Sequence, residues 1–338
     1  MRKALFPALV ALILILSACG NSANTANNAG NAAAGSNDSA ANSTANNAPT
    51  GTNTSPADNT AADDASGSGT ITYQAESGPV EVPANSQRVV VLASFTGDLI
   101  QLGVNVVGAD AWSMKNPRFA DKLKDAKEVT DEDLEKIIEL DPDLIIGLDG
   151  VKNLDKLKEI APTILYTYGK VDYLTQFLEI GKALNKEKEA QTWIDGFKTR
   201  AADAGKEIKA KIGENATVSV IENFNKQLYV YGDNWGRGTE ILYQAMGLKM
   251  PQKVIDTALK DGYFALSTEV MPQFAGDYLI MSKFSDTDNS FQNTDTYKNI
   301  PAVKNGHVFE VNANEFYFND PNTLDFQLDF FKKSFLGK

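Results

Sequence analysis

The 338-residue chain has one cysteine, Cys19, and one histidine, His307. With a single cysteine no intramolecular disulfide can form, and its place near the N-terminus leaves no thiol for catalysis in the body of the chain. One histidine argues against a transition-metal site built from protein side chains, because zinc or manganese capture ordinarily combines several histidines and carboxylates. His307 itself lies in NGHVFEV, a turn entering a strand, and reads as structural. Also missing are a nucleophile elbow, an HExxH helix and a phosphate-cradling glycine loop ending in Lys-Ser/Thr. Gly236-Arg237-Gly238 is too short to be a dinucleotide fingerprint. GDLIQLG and GTEILYQAMG read as ordinary helix openings. Nothing here supports an enzyme, and no catalytic residue, resident metal or cofactor is expected. Basic charge is scarce too: 32 Lys and Arg against 44 Asp and Glu give a net charge of −12. An acidic body argues against nucleic acid and against gathering anions by bulk attraction.

Long apolar runs are absent but for Ala4 to Leu16, which follows Arg2 and Lys3 and is interrupted by Pro7. It is too short for a comfortable membrane span and reads as a secretory signal over residues 1–18. Leu16-Ser17-Ala18-Cys19 resembles the bacterial lipobox, which implies that Cys19 becomes the lipidated first residue. Two acyl chains suffice for stable anchoring. The alternative is a plain secreted protein with a spare cysteine. Loss of the signal takes the net charge to about −14, since Arg2 and Lys3 leave with it. After Cys19, residues 20–69 are Asn, Ala, Ser, Thr, Gly and little else, with no aromatic and no periodicity, so 19–69 read as the lipidated cysteine and a disordered tether. Such a tether has a root-mean-square span of about 40 Å. The expected location is the extracellular face of the cell membrane, held by the lipid.

From residue 70 onward, strand-like and helix-like segments alternate. QRVVVLA, VNVVGAD, DPDLIIGL and TILYTY read as strands, with amphipathic DEDLEKIIEL and LDKLKEIAP between them. This order implies parallel sheets flanked by helices. ATVSVIEN and QLYVYG start a second round of the same plan. Glu135 precedes Asp143-Leu144-Ile145-Ile146 by eight residues, and Glu269 precedes Asp277-Tyr278-Leu279-Ile280 by the same spacing. Two βα lobes are expected, at 70–184 and 214–338, the latter ending in a final helix. Between them, 185–213 carries Ala190, Trp193, Ile194, Phe197, Ala201, Ala204 and Ile208 on one helical stripe. The fold class is therefore α/β: two lobes with mainly parallel sheets joined by one long helix, a stiff connector that limits hinge opening.

Aromatic residues in turns are the positive signal. Trp112 lies just past a strand, Tyr166 and Tyr168 alternate at the end of TILYTY, and Tyr229 and Tyr231 alternate ahead of Trp235 and Arg237. Tyr317 and Phe318 follow another strand in ANEFYFNDP. In parallel α/β sheets, ligands bind at the carboxyl ends of strands. Each ring alone is more often core filler, but together they suggest a cleft lined by rings with one fixed cation. Arg237 stays protonated and needs an anionic or strongly electronegative partner. That partner is either an oxygen-rich, partly apolar ligand or a surface carboxylate. The flanking glycines let the turn bend and the ligand approach closely.

YVYGDNWGRGTEILY, LSTEVMPQFAGDYLI and AVKNGHVFEVNANEFYFNDPNTLDFQLDFF resemble the ferric-hydroxamate receptors of single-membrane bacteria. These are lipoproteins that bind solute for ATP-driven importers of iron-siderophores and vitamin B12, and the resemblance covers essentially the whole chain after Cys19. It implies a helical-backbone periplasmic-binding-protein-like fold, a ferric siderophore as ligand and the permease subunits of an ABC importer as partner. It also implies a monomer that contributes no metal ligand, since a hexadentate hydroxamate already saturates the iron. Trp235, Arg237 and Tyr229 match the family motif most directly and Tyr168 more weakly. Trp112, Tyr231, Tyr317 and Phe318 are added by the cleft argument. Glu135 and Glu269 occupy the positions whose acids engage permease arginines, though either one could simply stabilise its own helix start. The same scaffold could instead carry a catecholate or citrate iron chelate, haem or a corrinoid. A tethered enzyme or adhesin is the alternative of a different class.

Overall fold

The computed structural model describes residues 69–337. The expected signal at 1–18, the lipidated Cys19 and the tether up to residue 68 lie outside the described residues. An antiparallel hairpin, β1 (Thr70–Ala75) and β2 (Gly78–Pro83), comes first. The next five strands are β3 (Val89–Val91), β4 (Val106–Ala109), β5 (Lys127–Glu128), β6 (Leu144–Leu148) and β7 (Thr163–Tyr166). They form one parallel sheet in the order β5-β4-β3-β6-β7. Val89–Val91 and Leu144–Ile146 are fully buried, as expected for central parallel strands covered on both faces by crossover helices. From β3 the chain winds outward to one side through β4 and β5, then returns to the other side through β6 and β7. That reversal opens a crevice at the carboxyl ends of the strands. Ser94 and Phe95 follow β3 there, Leu148 ends β6 and Tyr168 follows β7.

The second sheet holds β8 (Val218–Phe224), β9 (Gln227–Tyr231), β10 (Tyr263–Leu266), β11 (Tyr278–Lys283) and β12 (Val308–Asn312), in the order β10-β9-β8-β11-β12. β8, β11 and β12 are parallel, but β9 is antiparallel to both of its neighbours. Asn225 and Lys226, between β8 and β9, both take left-handed φ values (50° and 66°), the geometry of a two-residue hairpin turn that matches strand twist. This half is thus a mixed sheet grafted onto the parallel plan.

One helix of 26 residues, Glu187–Ile212, joins the two halves, and at the usual rise it is about 39 Å long. Its buried stripe is Ala190, Ile194, Phe197, Ala201, Ala204, Gly205 and Ile208. Trp193 is half-buried, stacks on Phe197 with centroids 4.8 Å apart, and donates its indole N–H to Asp325 at 2.9 Å. Asp325 belongs to the final helix, Pro321–Leu336, which packs on the connector and also on the helix Thr96–Gln101 of the first half. The C-terminal helix therefore ties all three parts together. Among the described residues no helix is long and apolar enough to cross a membrane.

Candidate ligand-binding site

The turn after β9 is held in an uncommon backbone conformation. Gly236, Arg237 and Gly238 have consecutive φ values of 69°, 59° and 84°. A Cβ on Gly236 would come within 2.2 Å of the Tyr317 carbonyl oxygen, and one on Gly238 within 2.8 Å of the Phe331 ring. Arg237 has no such exemption, and a left-handed L-residue costs roughly 1–2 kcal/mol. Surrounding hydrogen bonds fix the turn. The Gly236 amide donates to Glu240 at 2.9 Å, Thr239 donates to the Gly236 carbonyl at 2.7 Å, and Asn319 donates to Glu240 at 2.8 Å. Burial pushes the Glu240 carboxyl above the usual range even though these donors pull the other way. The six residues that follow, Glu240–Ala245, form a π-helical segment, a form frequent at functional sites.

The guanidinium of Arg237 is buried and paired. Its Nε and Nη2 donate to Glu222 Oε1 at 3.2 and 3.1 Å, and its Nη1 donates to the Trp235 carbonyl at 3.0 Å. Glu222 is fully buried and also accepts from the Tyr231 hydroxyl at 3.0 Å and from Ser282 at 2.7 Å. The guanidinium carbon lies 4.1 Å from the Tyr317 ring centroid and 4.8 Å from that of Tyr231. Burial works against the charge, but Glu222 and the two phenols outweigh it and hold the arginine protonated. The expected search for an external anion or a surface carboxylate is thus answered differently: the partner is a buried carboxylate on β8. The pair is formally neutral. The cleft sees the outer edge of a guanidinium already fixed by charge, rings and backbone.

Five of the residues singled out from sequence line one chamber of about 220 Å³: Tyr168, Trp235, Arg237, Tyr317 and Phe318. Ser94, Leu148, Gly236 and Asn319 complete the wall. Tyr168 and Trp235 come from opposite halves and meet edge to face at 5.3 Å. Phe318 is buried and stacks on Phe119 at 5.8 Å. The other three rings are not on this wall. Trp112 stacks on Tyr317, with centroids 4.8 Å apart and planes 6° from parallel, and lines a neighbouring depression with Phe224 and Phe284. Tyr231 is buried beneath the site, where it serves Glu222, and burial followed by that carboxylate pushes its phenol upward. Tyr229 is half-buried and meets Tyr263 edge to face at 5.8 Å. The carboxyl-end rule of parallel sheets does not reach these two tyrosines, because β9 runs the other way. Glu135 and Glu269 are both exposed, one on the helix Leu134–Glu139 and the other in the turn before Met271–Gln273.

Several wall and support residues escaped the sequence reading. Glu222 carried a legible signal, a lone acid inside the apolar run VSVIENF. Asp98 and Glu240 sit in the two segments read as ordinary helix openings, yet both are buried. Asn319 and Ser94 gave no signal. His307 packs flat on Tyr278, with centroids 4.3 Å apart, and its Nδ1 lies 3.1 Å from the Asp277 carbonyl oxygen, a structural setting. Among the described residues no three His, Cys, Asp or Glu side chains are grouped to hold a metal ion.

Comparison with known proteins agrees with this architecture. Residues 89–315 match the family described as "Periplasmic binding protein". The iron(3+)-hydroxamate-binding protein FhuD of Bacillus subtilis (strain 168) is 37% identical over 276 residues, covering 78% of this chain and 86% of that protein. The solved structure of the FhuD protein from S. pseudintermedius is 37% identical, with a TM-score of 0.72, covering 80% of this chain and 99% of the other. FhuD2 from Staphylococcus aureus, solved with bound ferrioxamine B, is 36% identical with a TM-score of 0.71, covering 74% of this chain and 98% of the other. A buried arginine turn facing rings across two α/β halves on a helical backbone, together with this similarity over most of the chain, shows that the protein belongs to the periplasmic binding protein family and is a solute-binding protein, not an enzyme.

Proposed function

We propose that this chain is an extracellular, lipid-anchored receptor that binds a ferric hydroxamate siderophore between its lobes and hands it to an ABC importer. The observation that carries the reading is the chamber of Tyr168, Trp235, Arg237, Tyr317 and Phe318, in a chain 37% identical to an iron(3+)-hydroxamate-binding protein. The siderophore brings the iron already wrapped, so the protein need supply only donors and apolar cover. Arg237 donates to metal-bound oxygens from the unpaired edge of its guanidinium, and Trp235, Tyr168 and Tyr317 cover the organic shell. A neutral Arg237–Glu222 pair suits a neutral or mildly cationic ferric trihydroxamate better than a strongly anionic tricatecholate. Lys170 lines the adjoining cavity but is paired with Glu76 at 3.1 Å, so it adds little free positive charge.

Anchoring through Cys19 and delivery through Glu135 and Glu269 belong to the same proposal. Two exposed acids, each ahead of an inner strand of its own sheet, offer one contact per lobe to a two-sided permease. Intrinsic tryptophan fluorescence, titrated with ferrioxamine, ferrichrome, a ferric catecholate and ferric citrate, tests the reading. Saturable quenching is expected with the first two at concentrations where the last two do little. Tighter binding of the catecholate or the citrate would move the assignment to that cargo.

A further inference from the structure

Next to the aromatic chamber lies a larger cavity of about 400 Å³, which shares Ser94, Leu148, Tyr168 and Asn319 with it. Its wall has a different chemistry. Four acids line it, Asp98, Asp172, Asp233 and Glu240, against one lysine, Lys170. Two of the acids are already engaged. Asp172 caps the helix Tyr173–Ala183 by accepting from the Leu174 and Thr175 amides, and Glu240 holds the arginine turn. Of the other two, Asp233 is only half-buried, whereas Asp98 is 5% exposed, lies on the cavity wall, and accepts a hydrogen bond only from its own backbone amide. On the same wall the side-chain nitrogen of Gln176 is buried with no acceptor. A buried polar group without a partner costs about 1–3 kcal/mol, so the Gln176 amide, and beside it a buried Asp98 carboxyl served only by its own amide, call for a ligand group on this wall.

We infer that this acidic annex receives a positively charged arm of the siderophore, a primary ammonium, with Asp98 as its acceptor. The inference rests on the ferric-hydroxamate reading and adds a specificity determinant to it. The chamber grips the neutral iron shell, and the annex selects among shells by what hangs from them. Burial, and after it the neighbouring Asp320, push the Asp98 carboxyl well above the usual range. An entering ammonium offsets that penalty, whereas an acetamide or a bare methylene end cannot. Turning the Gln176 amide by 180° lets it meet either the ammonium or an amide carbonyl beside it.

The test compares ferrioxamine B, which ends in a primary amine, with its N-acetylated form, whose iron shell is the same and whose tail is neutral. Affinities come from fluorescence titration of the full chain and of Asp98→Asn. The wild-type protein is expected to bind the amine form at least about tenfold more tightly. In Asp98→Asn that ratio is expected to fall close to one. Equal wild-type affinities for the two forms overturn the annex assignment and leave the receptor reading standing. Failure of both forms to bind the wild-type protein overturns the receptor reading and the annex with it. Because the wild-type comparison needs no substitution, misfolding of the variant cannot hide the answer.

Discussion

The two halves of this molecule start from the same plan and spend it differently. The first sheet is wholly parallel, and its central strands carry only Val, Leu and Ile inward. The second sheet keeps three parallel strands but inserts β9, which runs against both of its neighbours, β8 and β10. That change brings a hairpin partner alongside Glu222, so that Tyr231 and Arg237 join Ser282 of the parallel neighbour β11 on one buried carboxylate. The first half contributes a cover, Tyr168 and Leu148, and the buried acid Asp98. The second contributes the positioned cation, the left-handed turn and the ring that carries it. Preorganisation is concentrated in one lobe, and the other lobe supplies part of the opposite wall.

The largest effect should come from breaking the charged core of the second half. Arg237→Ala leaves Glu222 buried without its counter-ion, and chemical denaturation should show a loss of about 3–5 kcal/mol. Arg237→Met combined with Glu222→Gln should recover much of that stability while binding of ferric hydroxamate stays weak. Full recovery of binding in the double variant would show that the arginine only holds the fold. Next is Gly236→Ala, where an added methyl meets the Tyr317 carbonyl in a left-handed turn. A destabilisation of roughly 1–3 kcal/mol is expected, with weaker ligand quenching.

The contact between the halves has its own pH signature. Asp320 caps the final helix by accepting from Thr323, and its carboxyl packs against Gly97, where a Cβ would come within 1.9 Å of it. Burial raises its pKa to about 6 although the Thr323 donors pull it down. A carboxyl raised above its unfolded value favours the folded state most at low pH. That contribution is fully present below about pH 4 and is lost as pH rises through about 6. Asp98 shifts in the same direction. Stability measured from pH 4 to 7 should therefore carry a falling component of up to about 3 kcal/mol from Asp320, which Asp320→Asn removes. An identical pH profile in that variant would exclude Asp320 as the source.

Smaller effects separate the rings. Trp235→Ala should weaken ligand binding by about 1–2 kcal/mol and remove most of the quenching signal. Trp112→Ala should do less, since one face of that ring is already spent on Tyr317. The smallest effect on the isolated protein belongs to the exposed acids. Glu135→Ala and Glu269→Ala should leave stability within about 0.5 kcal/mol and affinity unchanged. Uptake of labelled ferric siderophore by cells carrying either variant should nevertheless fall, and normal uptake by the double variant would remove both from permease contact.

Local pattern alone determined a good deal: alternating strands and helices, the connecting helix with its apolar stripe, the Trp-Gly-Arg-Gly turn and the scarcity of histidine and cysteine. Those features live in periodicity and in residue type, which a chain displays without folding. The direction of β9, the pairing of Arg237 with Glu222 and the burial of Asp98, Glu240 and Asp320 were decided only in three dimensions. Whether an acid faces water or a cavity depends on which distant segment lies over it. Asp98 and Asp320 stand 222 positions apart in the chain yet influence each other's charge. Electrostatics in a low-dielectric interior acts through space, and no spacing along a sequence encodes it.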